Sequence, residues 1–199
     1  MIERTELDHQ TIMQPKPPLQ VKLFSGVLYS DPDALNRAFS LLEEKYGPIE
    51  YRSQDFPFNE TDYYNQEMGT PIYRHFISFK NLIIPNQIAK IKLECNTIEE
   101  RVASQQGRVV NLDPGYMDYD KVVLASAKYN GNKVYLDEGI WADLTLRFEQ
   151  GQYLTYPWSF PDFKTGQYQE VFLEIRRLYK TQMRRLFRKE RQEIQANGS

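Results

Sequence analysis

The sequence has little with which to cross-link itself or to hold a metal. Its single cysteine, Cys95, excludes an internal disulfide and any Cys-rich zinc cage. Two histidines, His9 and His75, are too few for a His-based metal set, so no metal site is expected. No apolar run approaches the roughly 18 residues needed to span a bilayer. The first twenty residues, MIERTELDHQTIMQPKPPLQ, lack the apolar stretch of a secretory signal. A cytoplasmic protein without a membrane partner is therefore the default expectation. Chemical signatures are missing too: there is no GxxxxGK[ST], no GxGxxG after a strand, no HExxH and no GxSxG. This removes the usual phosphate cradle, dinucleotide fingerprint, zinc-protease helix and nucleophile elbow, and it leaves any cofactor unknown.

Aromatic residues, by contrast, are abundant. Fourteen tyrosines and eleven phenylalanines supply much of the packing volume, so a core forms without staples. At 199 residues the chain fits one domain. Residues 1–18, polar and ending in QPKPP, read as a disordered arm. Residues 19–187 read as a single α+β domain, and 188–199 as a frayed tail.

LQVKLFSGVLYS has the content of a buried strand. A helix follows, with Asp31 as its cap, Pro32 in its first turn and Gly47-Pro48 as its stop. IEYRSQDFPF and PIYRHFISFKN read as the second and third strands. A second helix spans roughly 85–103, where Ile84, Ile88, Ile91, Cys95, Ile98 and Val102 draw an apolar stripe. RVVNL is the fourth strand. The order β-α-β-β-α-β predicts a ferredoxin-like core, with two helices over one face of an antiparallel sheet.

Beyond that core, DYDKVVLASAK suggests a short helix capped by Asp118, with Lys121 and Lys128 two turns apart on one face. Hairpin turns are expected at Asp137-Glu138-Gly139 and Gln150-Gly151, giving an added hairpin layer. Between them Ile140, Ala142, Leu144, Leu146 and Phe148 alternate with Trp141, Asp143, Thr145 and Arg147. One face is then buried and the other is polar or lines a groove. A long C-terminal helix starts near Gln167. Its apolar side carries Val171, Phe172, Ile175 and Tyr179, and its basic side Arg176, Arg177, Lys180, Arg184, Arg185 and Arg188. Segment 170–193 holds eight Lys/Arg against four Asp/Glu in a chain of net charge −2. That overall acidity argues against general nucleic-acid binding.

Three places could carry chemistry. The polar loop TDYYNQEMG offers Asp62 and Glu67 as acid and base or divalent-cation ligands, with Tyr63 and Tyr64 as donors. It equally suits a cap and a cover over the sheet edge. NLDPGY reads as a type II turn, with proline presetting φ and glycine taking positive φ. That turn would hold Asp113, Tyr116 and Asp118 at a strand end. The polar face of Asp143, Thr145 and Arg147 includes Trp141, which points to a lined groove as readily as to surface. Lys128 suits a phosphate or carboxylate, although a solvated helix end explains it as well. His75 and Cys95 read as packed residues.

VKLFSGVLYSDP, FPFNETDYYNQEMG, NLDPGY with KVVLASAK, VYLDEGIWADLTL and PWSFPDF occur here in one order. In these stretches the chain resembles bacterial domain-of-unknown-function family 4416, over about residues 20–168. The resemblance implies a small cytoplasmic bacterial protein and brings no activity, cofactor or catalytic residue. Asn132-Lys133 stands where that family often has His-Arg, and Asp143 where it has a glutamate. A histidine base is therefore not expected at that position, whereas the carboxylate persists.

The leading expectation is a module binding a small anionic or nucleotide-like ligand among Tyr63, Tyr64, Tyr116, Lys128, Trp141, Thr145 and Arg147. One alternative is an enzyme with Asp62, Glu67, Asp113 and Asp143 as acid–base groups or magnesium ligands. Another is an interaction protein that works through the basic C-terminal helix. The oligomeric state is left open.

Overall fold

Strand β1 (Val21–Tyr29) is buried along its whole length, because it has strands on both edges and helices over both faces. The structure is a computed structural model that describes residues 14–59, 65–105 and 107–197. Helix α1 (Pro32–Tyr46) follows β1. Asp31 caps it by accepting the Asp33 and Ala34 N–H groups at 2.8 and 3.1 Å, and Gly47 closes it at φ 86°. The strand expected next is split into β2 (Ile49–Arg52) and β3 (Phe56–Pro57), both paired with β4 (Tyr73–Ile83). A short helix α2 (Asn65–Met68) precedes β4. A 3-10 turn at Pro85–Gln87 leads into α3 (Ile88–Val102), and β5 (Val110–Met117) returns along β1.

The described residues form one nine-stranded antiparallel sheet, in the order β2-β4-β1-β5-β6-β8-β7, with β9 beside β8. Here β6 is Lys121–Ser126, β7 Val134–Asp137, β8 Ile140–Glu149 and β9 Gln152–Thr155. The chain is thus α+β. Its second half continues the first sheet rather than adding a hairpin layer. Both expected hairpin turns are present, with positive φ at Glu138 and Gly139 and at Gln150 and Gly151.

Three local expectations are corrected. The stretch NLDPGY is no turn: Asp113, Pro114 and Gly115 lie inside β5, in unbroken register with Gly26, Ser25 and Phe24. Eight residues of pairing with β1 favour the extended form, which proline at φ near −65° tolerates. DYDKVVLASAK is not helical. Asp118 caps the β5–β6 hairpin by accepting the Asp120 and Lys121 N–H groups, both at 2.9 Å. Lys121 therefore opens β6 and Lys128 lies beyond its end, not on a shared helical face. The alternation along β8 breaks at Thr145. Val122 pairs with Leu146 while Val123 pairs with Leu144, so Thr145 is an extra, bulged residue.

Helices α1 and α3 cover one face, burying Leu35, Phe39, Ile91 and Ile98 against Val27, Ile77 and Leu112. The opposite face carries α4 (Pro161–Lys164) and α5 (Gln169–Asn197), where Phe163, Phe172 and Ile175 meet Phe24, Phe76 and Leu124. Tyr179 donates to the Gln20 carbonyl at 2.9 Å. The fully buried Lys22 ties β1 to Phe79 O (3.0 Å), Glu50 and the α5 residue Gln182. Arg176 is not on a free basic face: its guanidinium sits 3.5 Å from the Phe148 ring centroid and donates to Tyr119 O at 3.0 Å. From Arg188 to Glu190 the side chains are exposed, and the helix continues through that segment to Asn197. Residues 14–18, the described part of the expected N-terminal arm, are exposed and have no regular structure. No helix of the described residues is long and apolar enough to cross a membrane.

Candidate functional site

The sheet opens between two of its own strands. β6 pairs with β5 only over Gly115–Met117 and then diverges, which leaves β5 from Val110 to Pro114 without a strand on that edge. Local sequence explains the split. At Gly115 a Cβ would stand 2.5 Å from Val123 O and 2.8 Å from Phe24 Cζ, so only glycine allows β6 to come this close. In the period-two ladder, Pro114 turns its donorless nitrogen toward β6, and pairing stops there.

Side chains from α3 occupy the place of the missing strand. Lys92 donates to Leu112 O at 2.6 Å, and Glu99 accepts the Leu112 N–H at 2.7 Å. Both residues are buried, seven apart on the flank of the apolar stripe, so the charged pair rides on the face that packs the sheet. Around the split lies a cavity of about 900 Å³. Its cationic lining comes from Arg74, Lys92, Arg108, Lys128 and Lys133, and carboxylates face them across the space.

The charges form a chain across the floor. Arg74 on β4 lies 3.4 Å from Asp162 and 3.3 Å from Asp113. Asp113 lies 3.7 Å from Lys92 and accepts from Asn111 at 2.9 Å. Glu99 bonds Arg108 at 2.9 Å, and Arg108 reaches Glu67 at 2.8 Å. Gly26 makes room for this arrangement, since a Cβ there would meet the Arg74 guanidinium at 3.2 Å. On the far wall Lys133 lies 3.4 Å from Asp143 and donates to Ser126 Oγ at 2.8 Å.

Burial and partners set the protonation of these groups. Burial by itself raises the Asp113 pKa, but Lys92, Arg74 and Asn111 outweigh it and hold the carboxyl below the usual range. Burial pushes Glu99 up, and Lys92, the Leu112 N–H and Arg108 only partly offset it. Burial likewise raises Asp143 against the pull of Lys133. Burial opposes the charge on Arg74, yet Asp162 and Asp113 raise its pKa and keep it charged. Its Nε is buried and has no hydrogen-bond partner among the described residues.

Of the residues singled out from sequence, Glu67, Asp113, Lys128 and Asp143 line this one cavity. Asp62, Tyr63 and Tyr64 lie outside the described residues. Tyr116 packs against the core on the α1/α3 side, away from the cavity. Thr145 is fully buried in the β8 bulge, with Oγ1 donating to Asp143 O at 3.0 Å. Arg147 pairs with Glu149 at 3.2 Å and stacks over Tyr156. Trp141 is outside the lining, in contact with Tyr129 and Tyr135. Among the described residues no three His, Cys, Asp or Glu side chains group as a cation site.

Sequence reasoning missed Arg74, Lys92, Glu99, Arg108, Lys133 and Asp162. Three of them left a trace: Lys92 and Glu99 are charges seven apart beside the hydrophobic stripe. Arg74 sits on the side of β4 that also carries Phe76 and Ser78, a charge inside a central strand pattern.

Fold and site together define an α+β protein whose antiparallel sheet splits around a cleft of paired buried charges. Residues 19–179 match the family model described as "Domain of unknown function (DUF4416)", and the chain belongs to that family. No curated protein and no solved structure matches it.

Proposed function

We propose that the cleft binds a small anionic ligand. The observation that carries this reading is the convergence of five cationic side chains on one 900 Å³ space. Isolated charges are too costly to bury together, so carboxylates balance them. Contacts to Asp113 and Asp162, and to Glu99, Asn111 and Glu67, still leave donors on the guanidiniums of Arg74 and Arg108, which have five N–H groups each. An entering phosphate or carboxylate then finds charge-assisted donors.

The test is a thermal-shift screen with inorganic phosphate, sugar phosphates, nucleotides and dicarboxylates. At a hundred times Kd the stabilisation is about 2.7 kcal/mol, which in a chain of this size raises Tm by roughly 5–10 °C. The response is lost in Lys133→Ala/Asp143→Asn, which keeps the wall neutral. No shift with any of these anions refutes the reading.

A second reading, an acid–base enzyme, is favoured at one point. Asp143 lines the cleft and its carboxyl is raised by burial, as a general acid requires. Asp143→Asn separates the two, since an enzyme then loses turnover while still binding its ligand, and a binding module changes only in affinity.

The same reading extends to the scaffold. We assign the β1-α1-β2-β4-α3-β5 half to the ferredoxin-like class. The support is its strand order β2-β4-β1-β5, antiparallel throughout, with α1 and α3 on one face.

A further inference from the structure

We propose that the ligand is a nucleoside phosphate whose ring packs on an aromatic shelf of Tyr129, Tyr135 and Trp141 at the rim of the cleft, with its phosphate at Lys133 and Ser126. This rests on the cleft-binding reading and adds the chemical class of the ligand.

The shelf adjoins the polar wall through the register of three strands. Trp141 and Asp143 are two apart on β8, before the bulge, so both side chains stand on the cleft side of the sheet. Directly across from Trp141 are Ser126 on β6 and Tyr135 on β7. Ser126 lines the cavity and Trp141 does not, so the shelf begins where the cavity ends. Two residues along β8 is a step of about 7 Å, the length of a ribose between ring and phosphate.

Two tyrosine rings pack on the tryptophan. Tyr129 and Tyr135 lie 4.9 and 5.1 Å from Trp141, centroid to centroid, at steep angles. Tyr129 is 70% and Tyr135 54% exposed. A single exposed aromatic needs no explanation. Two of them packed on Trp141, one strand step from a buried lysine, make an arrangement that takes a planar ring. Every nucleobase offers a π-face to such a surface. Lys133 supplies the charge: its side chain is 8% exposed, its three N–H groups meet Ser126 Oγ at 2.8 Å, Lys128 O at 3.2 Å and Asp143 at 3.4 Å, and an entering phosphate takes the place of the Lys128 carbonyl. Asp143, an acceptor beside that ammonium, suits a ribose hydroxyl.

The experiment uses the fact that the chain has two tryptophans. In Trp158→Phe, Trp141 is the sole tryptophan and reports on the shelf directly. AMP, GMP, CMP and UMP are titrated against ribose 5-phosphate, by fluorescence and by calorimetry. The expected result is quenching of Trp141 by nucleotides, with affinity roughly ten-fold or more above that of ribose 5-phosphate. Tyr129→Ala/Tyr135→Ala, two exposed positions, should bring nucleotide affinity down to the ribose 5-phosphate level and leave the latter unchanged. Equal affinity for ribose 5-phosphate and nucleotides, without quenching, overturns the shelf and leaves cleft binding intact. Binding of dicarboxylates alone overturns the nucleotide class only. No binding of any anion overturns both proposals.

Discussion

Replacing Arg74 with methionine removes one cation from between two carboxylates while keeping most of the apolar stem. The guanidinium lies 3.3 Å from Asp113 and 3.4 Å from Asp162, whose side chains are 29% and 3% exposed. Breaking a buried pair by deleting one partner costs about 3–5 kcal/mol, because the other charge stays behind uncompensated. Asp113 is partly exposed and keeps Lys92 and Asn111, while Asp162 keeps the Tyr168 hydroxyl at 3.2 Å. These put the cost at the lower end, about 3 kcal/mol at neutral pH, against a total stability on the order of 5–15 kcal/mol. Urea unfolding followed by circular dichroism reads it as a lower midpoint at unchanged slope.

The deficit should depend on pH, and its sign is fixed by Asp113. The folded protein holds this carboxyl below the usual range, so its stabilisation is present above the unfolded value of about 3.9 and is lost as pH falls through the folded value. Without Arg74 the folded pKa rises, and that stabilisation shrinks. The gap between wild type and variant is then widest near neutrality and closes only below about pH 4, as the wild-type carboxyl takes up its proton. Adding Asp162→Asn to Arg74→Met removes an orphaned charge and should recover about 1–2 kcal/mol, a coupling typical of residues in contact. A neutral-pH gap below about 1 kcal/mol, a gap that persists unchanged in acid, or strict additivity of the two substitutions would refute the reasoning.

Gly115→Ala should destabilise by about 1–3 kcal/mol or more, since its Cβ collides with the Val123 carbonyl; amide exchange near Gly115 and Val123 should speed up selectively. Asp31→Ala should cost about 1 kcal/mol through loss of two capped N–H groups at the start of α1, read by thermal or urea unfolding. His75 has its pKa lowered by burial, despite Asp55 Oδ1 at 2.8 Å from Nδ1. The unfolded chain therefore binds its proton first, and stability falls as pH drops below about 6.5. His75→Gln should flatten that slope, and an unchanged slope would assign it to other groups.

Elements with one dominant periodicity were legible in the sequence. Helix α1 announced itself through Asp31, Pro32 and Gly47, and α3 through a stripe stepping by three and four. The Glu138-Gly139 and Gln150-Gly151 turns were written in residues that tolerate positive φ. Where the reading failed, a local preference met a stronger partner. Pro114-Gly115 would turn a free peptide, but eight residues of pairing with β1 keep it extended. Residues 121–126 have enough apolar content for either helix or strand, and pairing with β8 along the whole stretch decides. Along β8, strict alternation ended at a bulge that only the partner strand's spacing reveals.

The candidate site shows the same division. Asp113 and Lys128 stood out as charges near an expected turn and helix end, Asp143 as a charge on an alternating strand face, and the cleft gathers all three. Trp141, Thr145 and Arg147 stood beside Asp143 in the pattern, yet Thr145 lies buried in the bulge, Arg147 turns to Glu149 and Tyr156, and Trp141 is left at the rim. Arg74, Lys92 and Asp162 come from β4, α3 and α4, elements far apart in the chain that meet only when the sheet closes around β1.

By itself, then, the sequence determined where helices start and stop, which faces are apolar, and that no disulfide forms within the chain. These are local matters of dihedral preference and spacing. The tertiary structure alone decided that β6 leaves β5 at Gly115, that α3 side chains stand in for a strand at Leu112, and that opposite charges from six elements share one cavity. Such outcomes depend on pairing between distant segments, where many long-range contacts together outweigh any single residue's preference.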